Sequence, residues 1–148
     1  MECRPDYLQH TDGYIAADLK TLHMETLIIA GGFYTIGLIV FHLLFWRIFD
    51  WEQDLKRVSC LNRATMQVLN ISLTFAFIIF AYVSFAHTTE LLTTPLGHSL
   101  LALMALFWLA RSVQQIIFYK LHDWASWAFL LLFLSGSLLY AIPAFYII

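Results

Sequence analysis

Residues 97–119 read GHSLLALMALFWLARSVQQIIFY, an apolar run whose only charge is Arg111. As a helix rising about 1.5 Å per residue, this run is about 35 Å long, enough to cross the ~30 Å hydrocarbon layer of a bilayer. Three more stretches have the same character: Thr26 to Phe49, Thr65 to Ala86, and Trp124 to Ile147. They account for most of the 148 residues, and the chain as a whole is 61% hydrophobic and only 12% charged, which a water-soluble domain cannot tolerate. The expected fold is an all-α integral membrane protein, a four-transmembrane-helix bundle with a short N-terminal amphipathic segment. Eight Lys and Arg against a net charge of −2 leave no basic surface for phosphate neutralisation, so no nucleic acid is expected as a partner. The same composition excludes intrinsic disorder.

The separators read as connections. Asp50 to Ala64 carries Asp50, Glu52, Asp54, Lys56, Arg57 and Arg63; His87 to Leu96 holds Thr-Thr-Glu and Thr-Thr-Pro; Leu121 to Asp123 is a tight turn. No linker divides domains, so residues 1–25 form an outer or interfacial segment and 26–148 one transmembrane domain. The first span follows too long a polar segment, and lacks the small-residue cleavage site, to be a signal peptide. Within the N-terminal segment Asp12 is a plausible N-cap, and Ile15, Leu19 and Leu22 recur at helical spacing beside Asp18, Lys20 and His23. Two readings stand equal: an amphipathic helix lying at the interface, or the polar first turns of a long first helix bent at Gly31-Gly32.

Basic residues set the expected orientation. Arg47, Lys56, Arg57, Arg63 and Lys120 flank the first and third connections, whereas the other side has only Arg4 and Lys20. Both termini are therefore expected on the non-cytoplasmic side of a plasma or inner membrane. Cys3 and Cys60 then lie on opposite faces, and the bilayer between them forbids a disulfide.

Ionisable residues inside spans are costly and usually face the bundle interior. His42 is about 10 Å from the inner end of the first span and Arg111 about 12 Å from that end of the third. Asn70 and Thr74 in the second span, with Gln114 and Gln115 in the third, complete a candidate ligand-binding layer. Arg63, Gln67, Asn70, Thr74, Ala81 and Ser84 follow helical spacing and define an inward stripe, while Arg111, Gln114, Gln115 and Phe118 form a patch. In the fourth span Ser135-Gly136-Ser137 allows close helix approach and Pro143 a kink. A helical side chain leans toward its own N-terminus, so Arg111 points toward mid-membrane and needs an internal partner. No Asp or Glu lies inside the spans to serve. What remains is side-chain amides and water, which would make Arg111 bundle glue, or a bound anionic or polar head. Phe41, Phe45, Trp46, Phe107, Trp108 and Phe118 are available as apolar lining.

On the outer side His87, Glu90 and His98 are ligand types for Zn or Cu, with His10 and His23 on the same face, but none has a metal-site spacing, and no metal is expected. Bis-His haem also fails, because no two histidines share a depth on neighbouring spans. Four spans in this length are similar in size to the membrane glutathione and eicosanoid enzymes and to small multidrug transporters. The acid in the second-helix motif of the first group and the first-span carboxylate of the second are both missing. The leading expectation is thus an accessory or ligand-binding membrane subunit that recognises a lipid-like or quinone-like head through the inner layer. Its partners are then a membrane lipid or lipid-like ligand, with a homo-oligomer or larger membrane complex open; no cofactor is identified. The alternative is a membrane enzyme with His42 as acid/base and Arg111 as anion stabiliser. A small transporter ranks third, for want of a coupling carboxylate.

Overall fold

The computed structural model describes residues 6–119 and 121–145, the side chains of residues 6–13, Ala16 and Glu52 excepted. Those residues form helices α1 (Asp6–Leu43), α2 (Phe45–Ile48), α3 (Trp51–Asp54), a 3-10 turn (Leu55–Arg57), α4 (Cys60–Ala86), α5 (Thr88–Thr93), α6 (Pro95–Tyr119) and α7 (Trp124–Ala144), and among them there is no strand. Four segments are long and apolar enough to cross a membrane: Ala17–Leu43, Cys60–Ala86, Pro95–Tyr119 and Trp124–Ala144. The protein is therefore an all-α membrane protein of the four-helix class. Cys3, Arg4 and Lys120, used above for sidedness, lie outside the described residues, as do the side chains of His10 and Asp12.

The chain divides into two compact units, Ile29–Thr88 and the remainder. In the first, α4 presents a seam at alternating steps of four and three: Arg63, Gln67 and Asn70 half-buried, then Thr74, Phe77, Ala81 and Ser84 buried. Such a spacing keeps one stripe against a partner helix, as in left-handed helix pairs. The expected inward stripe is thus the observed one, with Phe77 added. On the part of α1 within this unit the buried positions are Gly31, Gly32, Thr35 and Leu38. A Cβ on Gly32 would stand 2.7 Å from Cζ of Phe85, so the missing side chain is the seat of that ring. Thr35 turns its hydroxyl back to Gly31 O at 2.8 Å and so brings no unsatisfied donor into the seam.

Three boundaries differ from expectation in this part of the chain. Helix α1 starts at Asp6, not after Asp12, and runs unbroken through Gly31-Gly32 for 38 residues, which favours the long-first-helix reading of the N-terminal segment. It ends at Leu43 rather than Phe49, because the chain folds over at Asp50 (φ 45°, left-handed) and packs Trp51 and Leu55 inward. Phe45 meets Phe49 at 4.4 Å, one helical turn on, and Trp51 at 4.7 Å between ring centroids; the contact with Trp51, six residues on, is one that a continued helix would pull apart. Helix α4 starts at Cys60 instead of Thr65, since Ser59 Oγ accepts the Asn62 N–H and caps it.

The second unit is built on the α6–α7 hairpin. Buried residues recur on α6 at Leu101, Ala105, Trp108, Ser112 and Gln115, and on α7 at Ser126, Leu130, Phe133, Ser137 and Tyr140, again in alternating fours and threes. Two cross-helix bonds pin the register: Gln115 Nε2 donates to Ser126 Oγ at 3.0 Å, and Ser137 Oγ donates to Ala105 O at 3.0 Å. Gly136 and Ser137 lie in the seam, whereas Ser135 faces out. Pro143 is the penultimate residue of α7 and is buried. The segment read as loop 87–96 contains α5, and Thr94 Oγ1 caps α6 by accepting the Gly97 N–H at 2.9 Å. Gly97 is packed on α5 backbone: a Cβ there would overlap Glu90 O and stand 2.6 Å from Leu91 O.

Candidate functional site

The six residues of the expected inner layer fall into two groups, one in each unit. His42, Asn70 and Thr74 belong to Ile29–Thr88; Arg111, Gln114 and Gln115 belong to the other unit.

In the first group His42 and Asn70 hold each other. His42 Nδ1 is 2.8 Å from Asn70 Oδ1, and Asn70 Nδ2 donates to the backbone oxygen of His42 at 3.3 Å. The second bond orients the amide, so Oδ1 is the acceptor, and Nδ1 of His42 carries the hydrogen. When the ring is neutral, Nε2 is then its basic nitrogen. Phe45 stacks on the imidazole at 5.7 Å, and Phe77 and Phe41 meet it edge-on at 5.3 and 5.7 Å. Thr74 gives its hydroxyl hydrogen to Asn70 O at 2.8 Å, satisfying itself within α4. The arrangement is a two-way clasp between α1 and α4, with the ring fixed in angle and tautomer.

The second group does not form the single patch expected of it. Gln115 turns to Ser126 on α7 and Phe118 is 75% exposed, leaving Arg111 with Gln114 alone. Arg111 Nη1 donates to Gln114 Oε1 at 2.7 Å, and its guanidinium carbon stands 5.0 Å from the ring centroid of Phe133. In the hairpin register Phe133 lies level with Trp108, against which it stacks at 6.2 Å. The cation therefore sits toward the N-terminal side of its own backbone, as side-chain geometry requires. Its depth is about 16 Å from the Tyr119 end of α6. Arg111 is half-buried, and among the described residues its partners are an amide oxygen and an aromatic face, with no carboxylate. Ser126 and Phe133 were missed in the sequence, although both sit on the fours-and-threes seam of α7 that also carries Leu130 and Ser137.

The aromatic lining is dispersed in the same way. Phe41 and Phe45 surround His42, Trp46 meets Trp51 at 5.5 Å, and Phe107 packs edge-on against the fully buried Trp108. The outer histidines have packing contacts of their own. His98 places Nε2 2.8 Å from Leu92 O and Nδ1 3.0 Å from Ala144 O, so the ring lies between two backbone carbonyls. His87 lies edge-on to Tyr82 at 5.9 Å, Glu90 is exposed, and among the described residues no three His, Cys, Asp or Glu side chains converge. Compared with known proteins, the chain matches no family model, no curated protein and no solved structure.

Proposed function

We propose that this protein is a small, non-transporting membrane subunit that holds the polar head of a lipid-like or quinone-like molecule at Arg111. The observation that carries this reading is the guanidinium in the α6–α7 hairpin, charged and touched only by neutral groups among the described residues. An Arg at the centre of a span costs about 2.5 to 3.5 kcal/mol on insertion scales. An opposite charge at about 4 Å returns about 4 kcal/mol at an effective dielectric constant of about 20, before the anion's own desolvation, a gain of the same order as that cost. Under the orientation expected from the basic residues Arg47, Lys56 and Arg57 in the α1–α4 connection, that connection is cytoplasmic and Arg111 belongs to the inner half of the bilayer. The test is native mass spectrometry of the gently solubilised protein, with an absorption spectrum, for wild type and Arg111→Gln. A retained amphiphile that vanishes in the variant supports the reading; a bare protein in both cases sinks it.

A second reading is favoured by the His42–Asn70 clasp. A ring held in one tautomer suits a proton carrier, so an enzyme acting on a lipid or quinone would use His42 as acid/base. It predicts that His42→Gln abolishes turnover while the bound amphiphile is retained.

A further inference from the structure

We infer that the head held at Arg111 is an oxyanion, a phosphate or a carboxylate carried by an amphiphile, and not a quinone carbonyl. This rests on the reading of Arg111 as a ligand site and narrows its chemistry. Three observations on the same few atoms lead to it.

The first is charge. Arg111 already has one neutral acceptor, Gln114 Oε1, and the face of Phe133. A quinone oxygen would add another neutral acceptor and leave a net positive charge among apolar helices, whereas an oxyanion cancels it. The second is geometry. Phe133 covers one face of a planar group and Gln114 takes one hydrogen of Nη1, so the Nε–Nη2 edge is left with two parallel N–H bonds and no partner among the described residues. Two parallel donors match the two oxygens of a carboxylate or phosphate; a carbonyl oxygen uses that edge less well. The third is the orientation of Gln114. Its Oε1 is committed to Arg111, so its Nε2 presents hydrogens, and Gln114 is exposed. The unspent hydrogens of Arg111 and of the Gln114 amide are all donors, which suits a group that accepts.

The experiment is a titration of the delipidated wild-type protein, read by native mass spectrometry, with four probes in parallel: dioleoyl phosphatidylglycerol, oleate, dioleoyl phosphatidylcholine and decylubiquinone, with inorganic phosphate as a soluble competitor. The expected result is saturable binding of phosphatidylglycerol or oleate, weakened about tenfold to a hundredfold in Arg111→Gln and less in Arg111→Lys, which keeps the charge without the paired edge. Phosphatidylglycerol preferred over oleate assigns a phosphodiester, the reverse a carboxylate; displacement by inorganic phosphate shows that the head alone is recognised. Gln114→Leu should weaken the same adduct by a few-fold without touching the charge, and it serves if Arg111→Gln does not fold. Arg111-dependent binding of decylubiquinone in preference to both anions would overturn the oxyanion while keeping Arg111 as a ligand site. No Arg111-dependent binding of any probe would overturn both.

Discussion

Two polar pairs, in different units, solve the problem of burying hydrogen-bonding groups in opposite ways. His42 and Asn70 are 28 residues apart, on separate helices, and each satisfies the other through a ring nitrogen and a backbone oxygen. Arg111 and Gln114 are three residues apart on one turn, and their single bond leaves most of the guanidinium donors unspent. The first pair joins two helices and closes on itself; the second bonds within one turn of α6, touches α7 only through the ring of Phe133, and leaves guanidinium hydrogens without a partner among the described residues. The difference teaches where to look for function in a bundle rich in apolar surface: at the polar group whose partners do not complete it.

That contrast can be broken or sharpened by substitution. The largest effect is expected from Gly97→Ala, which serves as a steric yardstick in the unit that contains Arg111. The added methyl meets α5 backbone rather than a movable side chain, so the loss should be about 3 kcal/mol or a failure to fold, measured by denaturant titration in detergent. Asn70→Leu comes next. It removes both bonds of the clasp and should cost about 1 to 3 kcal/mol, within the range of intramembrane hydrogen bonds. A cost near zero would remove the clasp from the list of structural elements and return His42 to the functional one. Ser126→Ala deletes the bond from Gln115 in the α6–α7 seam and should cost about 1 kcal/mol. Smallest in stability is Arg111→Gln, where the thermal midpoint should hold or rise because a costly charge is removed, while ligand retention falls. If it instead destabilises as much as Asn70→Leu, the two pairs are alike and Arg111 is bundle glue. Sidedness is checked separately in intact cells: an impermeant thiol reagent should label Cys3 and leave Cys60, which is exposed at the start of α4, unmodified.

Much of this was legible in the residues. The four spans could be placed because runs of about 20 apolar residues have few uses outside a bilayer, and the stripe from Arg63 to Ser84 on α4 could be read because polar and small residues there keep a helical period. Gly136 and Ser137 were recognisable as a place of close approach. The end of α1 was not, because Phe45, Ile48 and Phe49 are as apolar as the span before them; only the turn at Asp50 and the rings gathered around Phe45 show where the long helix stops. Nor was α5, whose Thr-rich sequence carries turn and helix signals together. The grouping of Arg111, Gln114 and Gln115 failed for a related reason: neighbours on one helix turn can address different partners, and Gln115 belongs to the hairpin seam while Gln114 does not.

Hydropathy, span count and the confinement of span carboxylates to Asp18 and Glu25 in the N-terminal part of the first span are properties of the chain alone, since they are read from which residues are present and in what order. Which polar groups complete one another was decided only in the tertiary structure. A hydrogen bond depends on angles and distances of tenths of an ångström between residues far apart in the chain, and periodicity places a residue on a face without aiming its side chain. That is why the sequence could nominate His42 and Arg111, and only the fold could show that His42 is clasped by Asn70 and that Arg111 is bonded to Gln114.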